Sequence, residues 1–96
     1  MRKEQTIMGT VYVLVTSWCP YCRRALSWMD ELMKENTGYS KIEMKIIDEE
    51  KDPVAARKYD YYYVPTFYVD DEKIHEGVPT REIVRTVFEK ALNKTE

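Results

Sequence analysis

Ser17-Trp18-Cys19-Pro20-Tyr21-Cys22 joins two stretches of different period and holds both cysteines of the 96-residue chain. Before it, Val11-Tyr12-Val13-Leu14-Val15 is a continuous β-rich apolar run, which predicts a strand through Thr16 covered on both faces. After it, Ala25, Leu26, Met29, Leu32 and Met33 recur at helical spacing, with Arg23, Arg24, Asp30, Glu31 and Lys34 between them. Pro20 falls in the first turn, where a missing N–H costs nothing, and Asn36-Thr37-Gly38 supplies the stop. A close thiol pair at a strand-to-helix junction is the arrangement that dithiol–disulfide exchange needs.

Downstream, Ile42, Met44 and Ile46 alternate with Lys41, Glu43 and Lys45, predicting a second strand through about Asp48. Asp52-Pro53 reads as a helix start with Asp52 as N-cap, and the short helix is expected from Val54 to about Tyr59. Thr66-Phe67-Tyr68-Val69, a tight turn at Asp70-Asp71, and Lys73-Ile74-His75 read as a hairpin. Gly77-Val78-Pro79-Thr80 breaks the chain before a last helix carrying the stripe Ile83, Val84, Val87, Phe88, Ala91 and Leu92. The order β-α-β-α-β-β-α predicts an α/β domain. Its first three elements form a right-handed parallel unit, and the hairpin completes a four-stranded mixed sheet flanked by three helices. Residues 1–9 are expected to be a flexible polar lead-in, and residues 10–96 a single domain.

A hydrophobic share of 44% and a charged share of 33% fit a globular, soluble chain. The net charge of -2 argues against a general nucleic-acid-binding or polybasic membrane-binding surface. No apolar run approaches the roughly 20 residues of a spanning helix. Met1 to Thr6 carries charge with no apolar segment behind it, so no secretory signal is expected and a cytoplasmic location is. A bond between Cys19 and Cys22 would close a tiny loop and constrain the unfolded chain little, so the pair serves chemistry and not framework. The alternatives are a zinc half-site or two unreactive buried thiols. Tetrahedral zinc takes about four ligands, and the chain offers two cysteines and one distant histidine, His75, read here as a hairpin strand residue. No metal site is therefore expected.

Cys19-Pro20-Tyr21-Cys22 is identical to the dithiol motif common in glutaredoxins. Val64-Pro65-Thr66 resembles the cis-proline segment of the thioredoxin superfamily, and Gly77, between hairpin and final helix, matches that layout. The resemblance spans residues 10–94 and implies a thioredoxin fold. It implies that Cys19 is the nucleophile and Cys22 resolves the mixed disulfide. It further implies that Pro65 is cis and lies against the two sulfurs, and that Val64 offers backbone groups to an extended peptide or to glutathione. Trp18, Pro20, Tyr21, Gly77 and Thr80 complete the substrate-binding set. The implied activity is reduction of protein disulfides or glutathione mixed disulfides by a monomer without bound cofactor. Electrons would come from glutathione or from a thioredoxin-type reductase, with no nucleic-acid or membrane partner. The alternatives are a thioredoxin-like reductase independent of glutathione, a redox-regulated binding module, and a dimeric metal or iron–sulfur carrier. The physical reasons agree with the roles assigned. Cys19 at a helix start has unpaired N–H groups and the positive dipole end to stabilise a thiolate, whereas Cys22 lies about one turn in. Arg23 and Arg24 add positive potential nearby or are simply solvated.

Several positions depart from the glutaredoxin pattern. Thr16 stands where a Lys or Arg holds a glutathione carboxylate, and Gly77-Val78-Pro79-Thr80 replaces a Gly-Gly followed by Asp; Thr80 offers a cap and an uncharged oxygen. Each missing charge-assisted contact is worth about 1.5–3 kcal/mol, or roughly one to two orders of magnitude in affinity. Trp18 before the first cysteine and Pro65-Thr66-Phe67 lean toward thioredoxin, although Val13 falls where thioredoxins carry a buried Asp. Trp18 either contacts a substrate or packs. Tyr59, Tyr61, Tyr62 and Tyr63 form either an aromatic rim for peptides or packing beneath the loop. Trp28, Met29 and Met33 read as core.

Overall fold

In a computed structural model that describes residues 9–93, β1 (Val11–Val15) occupies an interior position of a four-stranded sheet. The chain continues through α1 (Pro20–Glu35), a short 3-10 turn (Tyr39–Lys41), β2 (Met44–Asp48), α2 (Pro53–Ala56), β3 (Thr66–Val69), β4 (Glu72–Glu76) and α3 (Arg81–Leu92). The strand order is β2-β1-β3-β4. β1 pairs in parallel with β2, Val13 opposite Ile46, and antiparallel with β3, Val13 opposite Phe67. The predicted α/β architecture of a mixed sheet with three helices is the one observed. Among the described residues no helix is long and apolar enough to cross a membrane.

Alternation along β1 divides its side chains between two clusters, as a strand's period of two requires. Val11, Val13 and Val15 join Phe67 and Val69 against Ala25, Met29 and Leu32 of α1 and Val84, Val87, Phe88 and Ala91 of α3. Leu14 faces the other way, with Tyr68 and Ala56 and with the half-buried Tyr12, Ile47, Tyr59 and Tyr61 packed around it. That second layer explains why β1 reads as continuously apolar: it is covered on both sides. Trp28 and Met33 pack against the first cluster, as expected of core residues.

The ends of the sheet differ from expectation in instructive ways. β2 keeps the predicted phase, but it is an edge strand and its cover thins along its length. Ile42 just before it is buried, Met44 is half-buried and Ile46 is exposed. α2 is capped by Asp52, whose carboxylate accepts from the Ala55 N–H at 3.2 Å, yet the helix stops at Ala56 instead of reaching Tyr59. A single helical turn gains few hydrogen bonds. Tyr59 instead turns in between Tyr12 and Tyr68, with ring centroids 5.5 and 4.9 Å away. At the hairpin tip Asp70 takes the left-handed conformation (φ 53°), which Asp tolerates better than most residues. Its carboxylate accepts from the Thr10 N–H at 3.0 Å, and its own N–H donates to the Thr10 carbonyl at 2.9 Å. Residues 1–8 of the predicted lead-in lie outside the described residues. Gly9, its last residue, is buried and donates to the Ala91 carbonyl at 2.8 Å.

Candidate active site

The chain leaves β1 through Thr16, Ser17 and Trp18 and enters α1 at Cys19, the N-cap, with Pro20 in the first turn as the sequence predicts. The Cys22 and Arg23 N–H groups both donate to the Cys19 carbonyl, at 3.1 and 3.2 Å. The Cys19 side chain makes no capping hydrogen bond, and both cysteines are free thiols. Cys19 is 7% exposed and Cys22 only 1%, so a reagent arriving from solvent meets Cys19 first. Burial pushes the Cys22 thiol up to about 12, with the nearby Cys19 thiol adding to the shift and Thr16 opposing it. Cys22 is therefore held as a neutral thiol, while Cys19 stands at the positive end of a 16-residue helix. Arg23 and Arg24 are exposed, and the Arg24 guanidinium lies 5.9 Å from the centre of the Trp28 ring.

The second wall of the site is the loop ahead of β3. The Val64–Pro65 peptide bond is cis, as the resemblance implies. Pro65 is buried, and Val64 packs on the cluster of buried side chains that contains both thiols. Three hydrogen bonds fix the backbone around this bend. The Glu76 carboxylate accepts from the Tyr62 N–H and, at 2.8 Å, from the Tyr63 N–H. The Thr66 hydroxyl donates to the Tyr63 carbonyl. Gly77, at φ 104°, donates its N–H to the Pro65 carbonyl at 3.0 Å, which ties the Gly77 loop to the cis-proline segment. Thr80 caps α3, its hydroxyl accepting from the Ile83 N–H at 3.1 Å. His75 is a strand residue of β4, bonded through Nε2 to the Val78 carbonyl at 2.8 Å.

The tyrosines divide between the two roles considered. Tyr59 and Tyr61 are half-buried and pack under the loop, with the Tyr61 hydroxyl donating to Glu49 at 2.6 Å. Tyr62 and Tyr63 are 85% and 70% exposed. Trp18 and Tyr21 are exposed too, so side chains on both walls present aromatic surface. The Trp18 indole N–H donates to Glu50 at 2.9 Å, which orients the ring without burying it. Glu50 and Glu76 were not singled out by sequence reasoning. Each is an ordinary surface-type residue, and the site residues they hold, Trp18 for Glu50 and Tyr62 and Tyr63 for Glu76, lie 32, 14 and 13 positions away in the chain.

Glu76 supplies a pH test of this architecture. Lys73, with Nζ at 2.8 Å, and the Tyr62 and Tyr63 N–H groups together hold its carboxyl down at about 2. A carboxylate lowered in the folded state stabilises the loop at pH values above its ordinary range, and that contribution is lost as the pH falls toward 2. The Tyr62 and Tyr63 amide resonances are expected to titrate together near pH 2, and the titration should vanish in Glu76→Gln. A midpoint in the ordinary carboxylate range would mean that the clasp does not form.

A family model described as a thioredoxin domain matches residues 10–89. The chain belongs to the thioredoxin-domain family. Solved structures agree on the fold. A thioredoxin from Fasciola hepatica has a TM-score of 0.68 at 20% identity, over 90% of this chain and 83% of that one. A thioredoxin from Malassezia sympodialis has a TM-score of 0.70 at 14% identity, over 91% and 77%. An uncharacterised thioredoxin-like protein from Clostridium perfringens reaches 26% identity with a TM-score of 0.65, over 94% and 76%. No curated protein matches. Within this thioredoxin-domain chain, the matched segment contains every candidate site residue: Trp18, Cys19, Pro20, Tyr21, Cys22, Val64, Pro65, Gly77 and Thr80.

Proposed function

We propose that this thioredoxin-domain protein is a thiol–disulfide oxidoreductase that reduces protein disulfides through Cys19 and Cys22. The observation that carries the proposal is the pair of free thiols at the head of α1, beside a cis Val64–Pro65 loop locked by Glu76 and Gly77. The Cys19 thiolate attacks one sulfur of the substrate disulfide, the substrate S–S bond breaks, and the departing thiolate takes up a proton. Cys22 then gives up its proton and attacks the Cys19 sulfur, which releases the second substrate thiol and leaves a Cys19–Cys22 disulfide. Two electrons pass to the substrate, and an external two-electron donor restores the dithiol. The Val64 N–H and C=O, which take no hydrogen bond among the described residues, are available to an extended peptide strand. Trp18, Tyr21, Tyr62 and Tyr63 supply aromatic area for it.

The electron donor we favour is a thioredoxin-type reductase. Thr16 is buried and uncharged where a cation would meet a glutathione carboxylate, and the Thr80 oxygen is engaged in capping α3. The second reading, a glutaredoxin supplied by glutathione, is favoured by the Cys19-Pro20-Tyr21-Cys22 motif. Reduction of insulin and of a glutathionylated peptide, each coupled in turn to thioredoxin reductase and to glutathione, separates the two. Turnover with the reductase and not with glutathione is expected. Turnover with glutathione alone would give the protein to the second reading. No turnover with either donor would favour a redox-regulated binding module, and metal or iron–sulfur content after anaerobic purification would indicate a carrier. A cytoplasmic monomer is part of the same proposal.

A further inference from the structure

Thr16 follows β1 and is 2% exposed. Among the described residues its Oγ1 is a buried hydroxyl without a hydrogen-bond partner. An unpaired buried hydroxyl destabilises a fold, and a valine would have the same shape without that cost. The thiol it lies near is that of Cys22. The Thr16 backbone N–H and hydroxyl both lie close enough to that sulfur to lower its pKa against the effect of burial. β1 brings no other polar side chain here, since Val11, Val13 and Val15 supply its core face. A neutral thiol is a poor acceptor for a hydroxyl, but a thiolate is a strong one. The hydroxyl is therefore poorly satisfied in the dithiol and gains its partner only when Cys22 is charged.

We propose that Thr16 is a positioning residue for the second exchange step, its hydroxyl donating a hydrogen bond to the Cys22 sulfur as that sulfur becomes a thiolate. The inference rests on the exchange function proposed above. In the step it assists, Cys22 loses its proton to solvent, its sulfur bonds to the Cys19 sulfur, the Cys19–substrate bond breaks, and the substrate leaves as a thiolate that is then protonated. The Thr16 proton is shared and not transferred. The unpaired hydroxyl in the dithiol is the structural counterpart of that assistance.

The test uses 5,5′-dithiobis(2-nitrobenzoate), which releases one coloured thiolate when Cys19 attacks and a second when Cys22 resolves the mixed disulfide. A hydrogen bond to a charged group is worth about one pKa unit or more. Its loss in Thr16→Val removes about tenfold of the reactive thiolate, and the more basic thiolate recovers about threefold through greater nucleophilicity. The second phase at neutral pH should therefore slow about three- to fourfold, with the first phase unchanged. Thr16→Ser should restore the second phase, and Thr16→Val should melt at or above the parent temperature. Equal second phases in parent and Thr16→Val, a Thr16→Ser as slow as Thr16→Val, or a lowered melting temperature in Thr16→Val would each overturn the proposal. A parent protein with no second phase at all would instead remove the exchange function on which it rests.

Discussion

Cys19→Ser is expected to lower disulfide reduction by more than about a thousandfold while leaving the fold intact. A serine hydroxyl is not ionised at neutral pH and forms no stable bond to a substrate sulfur, so the first step has no nucleophile. Cys22 cannot take over, because it is 1% exposed and its burial, the largest cause of its raised pKa, remains in the variant. The change is benign for structure. Cys19 is the N-cap of α1 without a side-chain capping bond, and serine is among the favoured N-cap residues. Insulin reduction and thermal unfolding measured together check this: activity should vanish while the melting temperature stays level or rises. Reduction within tenfold of the parent would remove Cys19 from the reaction.

The largest stability effect is expected at Phe88, on the buried face of α3. Its side chain is fully enclosed in the cluster formed with Val13, Phe67 and Leu32, and its ring lies 5.2 Å from that of Tyr39. Phe88→Ala removes the apolar contact and leaves a cavity that a 12-residue helix held against a sheet cannot fully close. The cost is about 3–5 kcal/mol, a large part of the roughly 5–15 kcal/mol that a domain possesses. Urea unfolding should show the midpoint lowered with little change in slope, and the melting temperature should fall by more than about 12 °C. A loss under about 1 kcal/mol would contradict the packing of α3 described here.

Period and punctuation carried most of the fold. The Val11–Val15 run, the helical stripe through Ala25, Met29 and Leu32, and the Asp70-Asp71 turn each encode a local preference that the tertiary structure keeps. Where local preference is weak, the surroundings decide. Alternation gave the phase of β2 but could not tell that Ile46 lies on an edge beyond its cover. The turn at Asp52-Pro53 starts a helix, and the pull of Tyr59 into the second cluster ends it early. The site follows the same division. Two cysteines in adjacent turns and a Val-Pro pair announce themselves, whereas the Glu76 clasp joins residues separated by 13 and 14 positions. The separation of Tyr62 and Tyr63 from Tyr59 and Tyr61 depends on the path of the loop, which the density of tyrosines does not encode.

Exchange through two unequal thiols predicts a trapped intermediate. Cys22→Ser, incubated with an oxidised disulfide peptide and quenched by alkylation, should accumulate a mixed disulfide that peptide mapping by mass spectrometry places on Cys19, at close to one peptide per chain. The parent protein under the same conditions should carry no adduct and should contain the Cys19–Cys22 disulfide instead. A Cys22→Ser protein that remains unmodified, or a parent that keeps both thiols free, would contradict dithiol exchange at this site.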